Sequence, residues 1–154
     1  MRAEVSAIAT VRSPRKDLTD DFWGAVDAQI VLADRFDEAA FYGLSDFSHV
    51  EVLFLMHQVD PAKVEKGARH PRERPDWPLV GIFGQRGKAR PNRIGLTRAT
   101  IVSVDGRVLT VRGLDAIDGT PVLDVKPWMD EFAPIGATRQ PAWVTELMRD
   151  YFKD

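Results

Sequence analysis

The stretch TRATIVSVDGRVLTVR, residues 97–112, decides the fold class. Two β-rich runs, Thr97 to Val104 and Arg107 to Arg112, flank Asp105-Gly106. Asp-Gly between such runs is a hairpin signal, because the favoured two-residue turn places its central residues at positive φ. An antiparallel pair at the heart of the chain follows.

Working outward, Val50 to His57 (VEVLFLMH) is the strongest apolar run. Its length and its β-branched and aromatic content favour a buried strand. Val5 to Arg12 alternates and reads as a strand stopped by Ser13-Pro14, since proline cannot feed a central ladder. Gln29 to Ala33, Val80 to Phe83 and Val122 to Val125 are further short strands, and Phe36 to Leu44 offers one or two helical turns ending near Gly43. Gln85 to Gly95 is too rich in Gly, Pro and Arg for regular structure. Pro141 to Phe152 predicts a helix with Pro141 in its first turn and Trp143, Leu147 and Tyr151 along one face. Six or seven short strands and one C-terminal helix fit a mainly β protein, a small antiparallel barrel. The strand–helix alternation and G-x-G-x-x-G of a doubly wound fold are missing.

A chain of 154 residues fits one domain, 1–154. It has no cysteine, which excludes disulfides and thiolate metal sites. The start MRAEVSAIATVR is no signal peptide, and no apolar run spans a bilayer, so a cytoplasmic protein without a membrane is expected. His49, His57 and His70 match no zinc spacing, so no metal is expected, and no P-loop or nucleophile elbow occurs. The net charge of −2 hides an asymmetry: Lys63 to Arg93 holds nine Lys/Arg against three Asp/Glu. Such a segment is either a solvated basic loop or the electrostatic footprint of a nucleic-acid partner.

Two segments carry the candidate chemistry. Gly84 to Gly95 (GQRGKARPNRIG) packs arginines and a lysine among residues that expose backbone. Arginine there can grip carboxylate or phosphate, or the segment is an exposed loop with a tight turn. In Leu114 to Trp128, Asp118-Gly119-Thr120-Pro121 is a turn, and Asp124 and Lys126 share one side of an extended run. They form a simple ion pair or orient a polar substrate.

Five ordered motifs join these segments: S-P near the start, D-F-S-H before a hydrophobic strand ending in H-Q, V-G-I-F-x-x-R, R-P-N-x-I-G-L, and D-G-T-P-V-L-D-V-K-P-W. In this order, over Val5 to about Trp128, the chain resembles the TrmO (TsaA-like) family. The resemblance implies a small β-barrel that binds S-adenosylmethionine, acts as a homodimer and methylates N6 of threonylcarbamoyl-adenosine in tRNA. It assigns the cofactor to Phe22, Trp23, His57, Gln58, Arg86, Gly95, Leu96, Ile117, Asp118, Gly119 and Thr120. Asp118, Asp124 and Lys126 are the candidates for orienting the acceptor amine, with a structural ion pair as the alternative. Lys88, Arg90 and Arg93 are the candidate tRNA contacts.

The sequence also departs from the family. Asp20-Asp21-Phe22-Trp23-Gly24 stands where tRNA-acting members carry an R-Q-P-G-like stretch, and the chain is expected to be a short form without their C-terminal domain. Two alternatives stay open: methyl transfer to a small molecule or another RNA, and a non-catalytic S-adenosylmethionine-binding module.

Overall fold

A computed structural model describes residues 1–154. Six strands close an antiparallel barrel in the order β1-β2-β7-β6-β3-β8. They are β1 (Ala9–Arg12), β2 (Asp27–Leu32), β3 (His49–Leu55), β6 (Ile94–Asp105), β7 (Val108–Arg112) and β8 (Pro121–Pro127). A separate two-stranded ribbon, β4 (Ala68–Arg69) with β5 (Val80–Gly81), lies within the basic segment.

Period-two alternation explains the barrel. Val50, Val52 and Phe54 of β3, Ala28, Ile30 and Leu32 of β2, and Leu109 and Val111 of β7 are buried and form one core with Val11 and Val122. Their neighbours in sequence point outward, as the strand period requires. Central β3 pairs with β6 from His49↔Thr100 to Leu55↔Ile94, and with β8 from Val50↔Pro127 to Phe54↔Val122.

The expected hairpin is present as β6–β7, but its loop is shifted by one residue. Asp105 still pairs with Val108, so Gly106 and Arg107 are the central residues. Gly106 alone takes positive φ, +54°, as glycine does in the first central position of a type II′ turn.

Other boundaries move for identifiable reasons. The first strand starts at Ala9 rather than Val5, although Ile8 still donates to the Val122 carbonyl at 2.8 Å. Phe36 to Leu44 becomes two 3-10 turns, Glu38–Phe41 and Leu44–Asp46, split at Gly43 (φ +82°). Val80 to Phe83 divides into β5 and a 3-10 turn, Ile82–Gly84. Strand β6 begins at Ile94, inside the stretch expected to be irregular.

Helix α1 covers Ala142–Leu147 and stops short of Phe152. The chain beyond it instead pairs backbone to backbone with the first long loop. Phe22, Trp23 and Gly24 donate to the carbonyls of Asp150, Tyr151 and Lys153. These bonds satisfy carbonyls that a helix running to Phe152 would leave without partners. Trp143 and Leu147 of α1 are partly buried, and so is Tyr151, but Tyr151 lies beyond the helix end and shares no helical face with them. Trp77 donates its indole N–H to Glu146 at 2.9 Å and lies 6.5 Å from Trp143, centroid to centroid. No helix is long and apolar enough to cross a membrane.

Candidate functional site

Antiparallel pairing brings three segments to one rim of the barrel: the end of β3, the start of β6 and the turn before β8. Gly119 adopts φ +79°, and a Cβ built on it would lie 4.0 Å from His57 Nε2. His57 Nδ1 is buried and has no hydrogen-bond partner. Burying a polar atom without a partner costs free energy, while the opposite ring nitrogen, Nε2, faces the Gly119 turn.

Protein carbonyls already take the amides of the turn. Asp118 N–H donates to Arg15 at 2.8 Å, Gly119 N–H to Val11 at 2.8 Å and Thr120 N–H to Ile117 at 3.2 Å. The Asp118 and Gly119 carbonyls accept no hydrogen bond from the protein. The turn therefore offers acceptors to a ligand, where an N–H nest would suit an anion. Asp118 itself is committed, since its carboxylate accepts the Ser13 N–H at 3.0 Å and pins the end of β1. Ile117 and Thr120 are buried in support of the turn.

Arg86 is exposed, and its guanidinium donates to the Leu96 carbonyl, which joins the basic loop to the outer edge of β6. The Leu96 side chain is itself exposed. Gly95 has a packing role: a Cβ there would run into the Phe54 ring, which covers it from the paired position on β3. Gln58 is exposed beside His57. Trp23 is buried under the Arg15 guanidinium, 3.8 Å from its ring centroid, and donates to the Asp20 carbonyl. Because Arg15 also holds Asp118, Trp23 forms a layer behind the turn. Phe22, at φ +65°, projects into solvent.

The structure separates the three acceptor-orienting candidates. Asp124 and Lys126 form an ion pair of 2.8 Å on the outer face of β8, and the carboxylate raises the Lys126 ammonium above its ordinary value. Asp118 lies at the other end of that strand, away along extended chain that rises ~3.3 Å per residue.

The basic candidates are tied down. Lys88 pairs with Asp20 at 3.1 Å, Arg90 donates to the Gln85 carbonyl at 2.9 Å, and Arg93, at φ +52°, donates to the Val59 carbonyl at 3.0 Å. Arg72 grips Asp21 through two bonds of 2.7 and 3.1 Å, and its own pKa is raised chiefly by them. Sequence reasoning missed this clasp, although two adjacent aspartates in a chain with one basic segment were the signal for it.

A second arrangement was also missed. Asp115 accepts hydrogen bonds from Thr97 of β6 and Tyr151 of the C-terminal segment. It connects the barrel wall, the approach to the Asp118 turn and the chain end.

The protein is a closed six-stranded antiparallel barrel whose candidate site lies at one rim, where the end of β3, the start of β6 and the turn before β8 come together. The model of the tRNA-methyltransferase O N-terminal domain matches residues 12–133, and the chain belongs to that family. A probable S-adenosyl-L-methionine-binding protein of Methanothermobacter thermautotrophicus is 32% identical over 143 residues, covering 88% of this chain and 97% of its own. The mouse tRNA (adenine(37)-N6)-methyltransferase is 39% identical over 95 residues, or 62% of this chain and 22% of its own. The chain thus spans about a fifth of that relative's length. The crystal structure of TrmO from Pseudomonas aeruginosa superposes with a TM-score of 0.70 at 28% identity, covering 90% of this chain and 62% of that one.

Proposed function

We propose that the chain binds S-adenosylmethionine at this rim and methylates N6 of adenosine in tRNA, the acceptor being threonylcarbamoyl-adenosine. The observation that carries the cofactor reading is the meeting of His57 with the Asp118-Gly119 turn, whose two carbonyls accept no hydrogen bond from the protein. Family membership and the names of the archaeal and mouse relatives support it.

When bound, the cofactor supplies an electrophilic methyl group on a sulfonium, so positioning is the protein's main contribution. The Asp118 and Gly119 carbonyls would accept N–H donors from adenine or the methionine ammonium, and His57 would meet the ligand through Nε2. Arg86 would exchange the Leu96 carbonyl for the methionine carboxylate, a stronger charge-assisted bond. Trp23, Ile117 and Thr120 hold the turn from behind, while Gly95 lets Phe54 pack. Phe22, Gln58 and Leu96 stand exposed around the opening. Asp124 serves as acceptor for the substrate amine where its pair with Lys126 opens.

Lys88, Arg90 and Arg93 lie beside this rim in sequence and form the tRNA face. Homodimerisation, with residues 1–154 as one unit in the cytoplasm, covers the exposed Ile94 and Leu96 side chains on the outer edge of β6 and excludes water from the site. Light scattering at monomer mass only, at micromolar concentration, would count against the dimer.

Methyl-labelled S-adenosylmethionine offered with total tRNA tests the reaction. Label recovered as an N6-methylated threonylcarbamoyl-adenosine nucleoside supports it. Label in another RNA or a small metabolite moves the acceptor, and cofactor binding without transfer removes the enzyme reading.

A further inference from the structure

The cations of the basic segment differ in one respect. Arg72 and Lys88 have aspartate partners, Arg74 has Asp76, and Arg86, Arg90 and Arg93 donate to carbonyls. Lys63 and Lys66 are exposed and solvated. Arg69 alone is partly buried with no side-chain partner at all: it has no ion pair, and its Nε is shut off from water without an acceptor. The shut-off Nε is costly, while the two Nη nitrogens, also without a protein acceptor, remain open to an acceptor from outside the chain.

Its placement is built by the fold. Arg69 sits on β4, paired with Val80 of β5, and buried Gln85 clamps both strands by donating to the Arg69 and Val80 carbonyls at 3.0 and 2.7 Å. The side chain then lies across Gly87, where a Cβ would stand 2.7 Å from Nη2. Gly87 leaves room for this guanidinium and sits between Arg86 and Lys88. No Asp or Glu occurs from residue 77 to residue 104, so this loop presents only positive charge to the site.

We propose that Arg69, seated on Gly87, is the centre of an oxyanion site that takes a phosphodiester of the RNA substrate. The planar fork of arginine matches two oxygens of a tetrahedral phosphate, and the surrounding cations favour its charge. The source of the phosphate rests on the tRNA reading above, whereas the oxyanion chemistry does not.

Two readouts separate them. The Arg69 Nε–H, sheltered from water, gives a side-chain NMR resonance assigned by its loss in Arg69→Gln. Inorganic phosphate and a short oligoribonucleotide should each shift it saturably, and S-adenosylmethionine alone should not. In filter binding of tRNA, Arg69→Gln should weaken retention about tenfold at low salt and lower the log–log salt slope by about one. Gly87→Ala keeps every charge but displaces the flexible guanidinium, and should weaken retention likewise, with thermal melting confirming the fold of both variants. If the wild-type chain retains no tRNA while phosphate still shifts the resonance, the oxyanion site stands and the tRNA reading falls. A resonance unmoved by phosphate and oligonucleotide, one moved by S-adenosylmethionine alone, or wild-type tRNA retention in both variants overturns the site.

Discussion

The Tyr151 hydroxyl donates to the Asp115 carboxylate at 2.5 Å, while Thr97 donates to the other oxygen of that carboxylate. One side chain three residues before the Asp118 turn thus holds β6 and the chain end together. Removing the hydroxyl in Tyr151→Phe deprives a partly buried carboxylate of a donor and should cost about 1.5–3 kcal/mol in urea unfolding.

The same contact sets an alkaline limit. Burial first, and then the Asp115 charge, push the Tyr151 hydroxyl above its ordinary value of 10.0. The folded chain therefore keeps this proton where the unfolded chain loses it. The contribution is fully present below about pH 10 and declines as pH rises further. Melting temperatures measured up to about pH 11 should converge for wild type and Tyr151→Phe above pH ~10, because the variant lacks this loss. A constant difference across that range would reject the assignment.

Phe54 and Gly95 face each other across β3 and β6, with the ring occupying the space of a missing Cβ. Gly95→Ala should destabilise by about 1–3 kcal/mol, as overpacking does. The Phe54→Leu background should recover part of that loss, giving a coupling term in a double-mutant cycle. Additive effects would show that Gly95 is needed for something other than this ring.

Asp20 and Asp21 clasp Lys88 and Arg72. Phe22, Arg72 and Glu73, at the clasp, all take positive φ, which is uncommon for residues other than glycine. Because Asp20 and Lys88 are about half exposed, their pairing contributes little to stability. Asp20→Asn should therefore melt close to wild type yet retain tRNA more tightly at low salt, with the gain vanishing as salt rises. Unchanged retention at every salt concentration would remove Lys88 from the RNA face.

Periodicity made most of the barrel legible, since inward Val50, Val52 and Phe54 alternate with outward Glu51 and Leu53 whatever the partner strand. What stayed hidden was set by distant residues. Helix α1 is short, and the chain beyond it is held by Phe22, Trp23 and Gly24 donating to the Asp150, Tyr151 and Lys153 carbonyls, which no local propensity encodes. At the site, His57 and Gly119 do meet, whereas Asp118 is spent on Ser13 and lies apart from Asp124 and Lys126. Residue type and spacing give candidates, but only three-dimensional placement tells a free carboxylate from a structural one.

Titration calorimetry of S-adenosylmethionine into the wild-type chain and Arg86→Ala tests the proposed cofactor site of His57, the Asp118-Gly119 turn and Arg86. Binding to wild type should be saturable, and weakened about tenfold or more in the variant, as expected for loss of a hydrogen bond to a charged group. Absence of binding heat from wild type across a range of temperatures, or equal affinity in the two proteins, would contradict it.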